Sequence, residues 1–152
     1  MVHNVLGIFS NKLVWTFLTA WFVAQALKIP TYWVLQKKLD FKRFFGAGGM
    51  PSSHTAMVVS LAITTGGTMG FDSVTFAITM ALAFIVMYDA SGVRYETGKQ
   101  AVVINEILRK VFIDGKPISD DELKEVVGHT HIEVVGGFVV GVLVALLYLF
   151  VI

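Results

Sequence analysis

From residue 132 to residue 152 the chain carries no charge beyond Glu133. That single run constrains the fold more than anything else in the sequence. A bilayer core about 30 Å thick takes roughly 20 mostly apolar residues per helix, and this segment has that length and that character. Three further runs resemble it. One spans about 13–35 and holds Gln25, Lys28 and Pro30 near its end; one follows Pro51 and runs to about 70; one spans about 73–90. None alternates with a period of two, and each is too long for a strand. In hydrocarbon only helices and closed barrels satisfy their own backbone. The expectation is therefore all-α: a polytopic membrane helical bundle of about four transmembrane helices, the second and third on the short side, forming a single domain over 1–152.

Composition agrees. Apolar residues make up 55% of the chain and charged residues 15%, with a mean hydropathy of +0.72. Ordinary soluble domains sit near 45–50% and about 25%. A disordered chain and a nucleic-acid binder built on basic patches are excluded, the latter also by a net charge of only +1. With no cysteine, disulfides, thiolate catalysis and cysteine metal sites are excluded as well.

Most of the charge lies between the third and fourth runs. Over 97–112, Ala101, Ile104, Leu108 and Val111 recur at helical spacing; Asp114-Gly115-Lys116-Pro117 reads as a turn; and Ser119 with Glu122 reads as the capping box of another short helix. The connector over 95–128 is thus expected to hold short amphipathic helices on the membrane surface. A rival reading of the N-terminus takes Lys12, the apolar run after it and Ala24-Gln25-Ala26 as a cleavable signal segment.

Polar residues in a chain with so few are informative, because burying them in lipid is costly. They form four clusters: Gln25 and Lys28; Gly48-Gly49-Met50-Pro51-Ser52-Ser53-His54; Asp89 to Arg94; and Gly128-His129-Thr130-His131-Ile132-Glu133. In an up-and-down count of four helices the first span ends, the second begins, the third ends and the fourth begins on one face. All four clusters fall there. Lys37, Lys38, Lys42, Arg43, Arg94, Lys99, Arg109, Lys110, Lys116 and Lys124 lie on that side and Lys12 on the other. The positive-inside rule then puts the clusters at the cytoplasmic surface and both termini outside.

Pro51-Ser52-Ser53-His54 before an apolar helix reads as a helix start capped by a serine, and the free N–H groups behind the cap make an anion site suited to phosphate. Gly48 and Gly49 let backbone approach a ligand. His129 and Glu133, four apart, are expected on one helical face, where the carboxylate fixes the imidazole tautomer and raises its basicity; a structural helix-start pair would look the same. His131 points elsewhere. Arg94 and Lys28 are candidates for phosphate oxygens, with an interfacial anchor and a lysine snorkelling to the headgroups as the alternatives. Asp89 and Gln25 are supporting residues, Asp89 as an ion-pair partner for Arg94 or Lys28.

Pro51-Ser52-Ser53-His54 resembles the P-S-G-H motif of the type 2 phosphatidic acid phosphatase (PAP2) and vanadium haloperoxidase superfamily. His129 to Glu133, followed by Val134-Val135-Gly136-Gly137, resembles its closing motif H-x-x-x-D-V-x-x-G, with Glu for Asp. Nearly the whole chain is similar to the small divergent PAP2 membrane proteins, through Ala24-Gln25-Ala26-Leu27-Lys28, Gly48 to Ala56, Asp89 to Arg94, Gly98-Lys99-Gln100-Ala101, Ile104-Asn105 and Gly128-His129-Thr130.

The resemblance implies a metal- and cofactor-independent phosphatase acting on a lipid phosphate monoester. His129 would attack phosphorus, Glu133 would orient it and His54 would protonate the leaving alcohol. Ser52, Ser53, Gly49, Arg94 and Lys28 would hold the phosphoryl oxygens. The superfamily's opening K-x6-R-P has no counterpart; Lys37 and Arg43 come one residue short, with Phe44 where proline belongs, and Leu123 stands where an arginine precedes the closing histidine. The alternative is a PAP2-like membrane protein that binds a phosphate or phospholipid head group without turning it over. Gly66-x3-Gly70 and Gly137-x3-Gly141 let helices pack closely, within one chain or across a homodimer.

Overall fold

The computed structural model describes residues 7–46, 48–111 and 128–151. Every regular element among them is helical: a 3-10 turn at Gly7–Ser10, α1 (Lys12–Gln36), a second 3-10 turn at Phe41–Phe45, α2 (Ser53–Met69), α3 (Val74–Ser91), α4 (Val93–Val111) and α5 (His131–Phe150). The turn expected at 114–117 and the short helix capped by Ser119 lie outside the described residues.

The four apolar helices all begin on a side-chain cap. Asn11 Oδ1 accepts the Leu13 and Val14 N–H groups at 2.9 and 3.4 Å, Ser52 Oγ the Thr55 N–H at 3.4 Å, Ser73 Oγ the Phe76 N–H at 3.1 Å and Thr130 Oγ1 the Glu133 N–H at 3.4 Å. Free N–H groups are costly near lipid, so such caps fix the boundaries. Gly70, at φ 96°, ends α2 with its N–H donated to the Gly66 carbonyl at 2.9 Å.

The interior is built of small residues. Ala20, Ala24, Ala56, Ala62, Ala83 and Ala145 are buried, and the largest fully buried side chains are threonines and serines. Phe22, Ile78, Phe84 and Leu143 face outward. In water this arrangement would be inside out. In lipid, where apolar burial between helices brings little gain, close approach of small side chains holds a bundle together.

α2 lies at the centre, packed on α1, α3 and α5. Cβ atoms added at Gly137 and Gly141 of α5 would strike the Ser52 and Ala56 carbonyl oxygens, and one at Gly67 of α2 would strike Leu149. The glycine spacing in α5 is therefore taken up inside the chain and points to no second copy.

The all-α membrane bundle is as expected. Among the described residues α1, α3 and α5 have the length and apolarity to cross a membrane, the α3 stretch continuing to Ile107. The remaining apolar helix, α2, is short, as its sequence run implied. Between the Ser52 cap and Gly70 it has 17 residues, a rise of roughly 25 Å at 1.5 Å per residue.

Candidate functional site

The four polar clusters meet at one end of the bundle, joined largely through backbone. The Ser52 N–H donates to the Glu133 carbonyl and the His129 N–H to the Ala90 carbonyl, each at 2.9 Å. Thr31 Oγ1 donates to the Met50 carbonyl at 2.5 Å, and Lys28 Nζ to the Gly46 carbonyl at 3.1 Å. These bonds tie the end of α1, the loop before α2, the end of α3 and the start of α5 into one unit.

Two imidazoles stand at this junction. His54, in the first turn of α2, is exposed, while His129, ahead of α5, is 5% exposed. Their ring centroids are 6.5 Å apart, with the planes inclined at 58°. The rings are too far apart to hydrogen-bond each other, and near enough for one group to bridge them. His129 Nδ1 lies 3.1 Å from Glu133 Oε2. An ionised carboxylate only accepts, so Nδ1 supplies the hydrogen of this bond and Nε2 is the ring nitrogen it leaves for a ligand.

The way His129 meets Glu133 differs from the expected shared helical face. α5 starts at His131, behind the Thr130 cap, so His129 precedes the helix altogether. Glu133 reaches back because it completes a capping box: its Oε2 also accepts the Thr130 N–H at 2.9 Å. The signal was present as Thr130-x-x-Glu133, the usual capping-box spacing. One carboxylate thus closes the helix start and orients the histidine.

Gly48 and Gly49 take φ values of 79° and 83°, a region glycine enters without strain. Ser52 is fully buried, and its Oγ caps α2 while also accepting from Thr55 Oγ1 at 3.0 Å. Ser53 is buried beside it. Arg94 Nε pairs with Asp89 Oδ2 at 2.5 Å, both side chains being partly exposed. The charges of Arg94, Lys28 and Asp89 all act on His54. Lys28 is 3% exposed; it does not snorkel outward but turns onto the Gly46 carbonyl. Gln25, a turn earlier on α1, is buried, and among the described residues its Oε1 has no partner. His131 is exposed. Among the described residues, no three His, Asp or Glu side chains gather as a metal-binding group.

Two cavities flank the His129–Glu133 pair. One, of about 210 Å³, is walled by Glu133, Lys28, Tyr32, Arg43, Gly48 and Gly49, among others. The other, of about 250 Å³, is lined by His129, Thr130, His131, Ile132, Ser91 and Tyr95. His54 belongs to neither wall. Arg43, which motif reading met only as a near match to the K-x6-R-P arginine, lines the first cavity. It stacks on Tyr32, with Cζ 4.3 Å from the ring centroid.

Comparison with known proteins agrees with the architecture. An uncharacterized membrane protein of Bacillus subtilis (strain 168), YuiD, is 34% identical over 151 residues, covering 93% of this chain and 96% of that protein. No solved structure matches the chain. The pattern of the Divergent PAP2 family matches residues 9–144, a stretch that takes in α1, α2, α3, α4, both histidines and Glu133. This chain is an integral membrane protein of the Divergent PAP2 family.

Proposed function

We propose that this protein is a phosphatase that hydrolyses a lipid phosphate monoester through a phosphohistidine, without a metal. The observation that carries the reading is the pair of imidazoles 6.5 Å apart, one of them held by a carboxylate on Nδ1. His129 Nε2 attacks phosphorus; the N–P bond forms as the P–O bond to the lipid breaks, and His54 gives its proton to the leaving alkoxide. Water then attacks the phosphohistidine. His54 takes a proton from that water, the N–P bond breaks, and inorganic phosphate leaves. Ser53, the backbone at Gly49, and the Arg94 and Lys28 cations offset charge on the phosphoryl oxygens, the usual means for this reaction. Ser52 acts through the cap, positioning the start of α2, and Asp89 holds Arg94. The surplus of Lys and Arg on the cluster side supports a cytoplasmic location for the site.

The second reading is a binding protein that has lost turnover. Arg94 is already paired with Asp89, and the K-x6-R-P cations have no counterpart. Hydrolysis of a panel of lipid phosphates in detergent with EDTA decides between the two. The phosphatase reading expects wild-type turnover, background rates for His129→Ala, and a loss of roughly 10²–10⁴-fold for His54→Ala. Phosphate binding with no turnover in any of the three proteins would establish the second reading, and activity abolished by EDTA would overturn the metal-free mechanism.

A further inference from the structure

Nothing in α5 itself fixes the backbone of His129, because that residue stands ahead of the helix and its Thr130 cap. Glu133 holds only the ring, at Nδ1. The backbone is held instead by the corner between α3 and α4. A single residue, Gly92, separates these helices: its N–H donates to the Tyr88 carbonyl at 2.8 Å, and its carbonyl accepts the Glu96 N–H at 3.0 Å. The Asp89–Arg94 ion pair spans the same break. Two neighbouring residues rest on this corner. The His129 N–H donates to the Ala90 carbonyl in the last turn of α3. Gly128 is pressed against the start of α4: a Cβ there would fall onto the Tyr95 backbone nitrogen and lie 2.5 Å from both the Arg94 carbonyl carbon and Tyr95 Cα. All three are backbone atoms, so no side chain can swing away to make room. The approach of the two backbones requires glycine.

We infer that Gly128 is a positioning residue: it seats the chain before α5 on the Arg94–Tyr95 peptide, and this seat fixes His129 relative to Arg94. The role rests on the reading in which His129 attacks phosphorus and Arg94 offsets charge on its oxygens. The nucleophile and this cation are carried by separate segments. Contact of the two backbones gives them a common reference that no rotamer change can relax. Tyr95 also shares a cavity wall with His129. Moving an alanine Cβ at position 128 from 2.5 Å out to ordinary contact at 3.4 Å displaces the seat by about 1 Å. A misplacement of that size costs about 10²-fold in rate.

The test is Gly128→Ala. α5 keeps its cap and its close approach through Gly137 and Gly141, so the variant is expected to fold. On a lipid phosphate in detergent its kcat should fall about 10- to 100-fold while KM stays within about threefold of wild type. A second readout needs no turnover: the ring ¹⁵N signals of His129, assigned by their absence from His129→Ala, are followed as inorganic phosphate is added. In wild type the Nε2 signal should move as phosphate saturates. Gly128→Ala should bind phosphate within about threefold as tightly by calorimetry, yet move that signal by less than half as much. Gly92→Ala displaces the same corner from the other side, since its Cβ would meet the Tyr88 carbonyl oxygen at 2.8 Å, and should show the same split. A Gly128→Ala protein with wild-type kcat, or with the full Nε2 shift, would overturn the seat and leave the phosphatase reading standing. So would a Gly128→Ala protein that loses its fold while Gly92→Ala keeps wild-type kcat. If wild type binds phosphate without turnover, the Nε2 comparison alone decides the seat. A wild-type Nε2 signal indifferent to phosphate would overturn the phosphatase reading and the role built on it.

Discussion

Gly137→Ala tests whether the contact of α5 with α2 sets the site. An added Cβ would fall onto the Ser52 carbonyl oxygen and within 2.9 Å of Thr55 Cβ. Neither obstacle can swing aside. The Ser52 carbonyl accepts the Ala56 N–H at 3.1 Å, and the same residue's N–H is bonded to the Glu133 carbonyl. Relief requires α5 to move off α2. Overpacking of this kind costs about 1–3 kcal/mol, and weakening the Ser52–Glu133 bond costs about 1 kcal/mol more. Gly→Ala in a helix returns about 1 kcal/mol. The net loss is roughly 1–3 kcal/mol, or about 2–12 °C in the melting temperature of a chain this size. Gly136→Ala is the control, because its Cβ would meet only the mobile end of Met50 at 3.2 Å and Pro51 Cβ at 3.4 Å. Thermal unfolding of both variants in detergent should show Gly137→Ala melting clearly below wild type and Gly136→Ala at or above it. Equal melting of the two variants, or the reverse order, would refute the packing that places His54 beside His129.

Glu133→Gln keeps the size of the side chain but removes the charge that orients His129, and should lower kcat by about 10²-fold or more with a much smaller change in KM; a purely structural capping role would move the melting temperature and leave the kcat of the folded fraction alone. Lys116→Cys, in a chain with no native cysteine, should resist labelling by a membrane-impermeant maleimide in intact cells and react once the membrane is broken, and labelling from outside would reverse the orientation. Thr31→Val removes the hydroxyl bonded to the Met50 carbonyl and should cost about 1 kcal/mol in thermal unfolding, with no loss if that bond does not hold the loop.

The helices were legible because apolar runs and cap residues are local signals: the serines after Pro51 marked the start of α2, and the apolar run from about 73 marked that of α3. The convergence of the clusters followed from counting spans, which needs no side-chain detail. What could not be read depends on paths between helices. Arg43 reaches its cavity only because Phe44 anchors a short turn on α1. Lys28 was legible as an unusual charge, but its burial against Gly46 depends on where the loop returns. His129 and Glu133 were paired correctly and for the wrong geometric reason, since their spacing fits both a shared helical face and a capping box. The α5 glycines could serve one chain or two, and spacing alone does not distinguish a helix partner within the molecule from one outside it.

The account turns on a covalent bond between phosphorus and one imidazole. Rapid quenching of wild-type protein during turnover of a lipid labelled with ³²P at its terminal phosphate measures this directly. The expected result is label on the protein that survives alkali, is lost in acid, maps to His129 and is absent from His129→Ala. Label of that kind persisting in His129→Ala, or steady turnover with no labelled protein at any quench time, would contradict it.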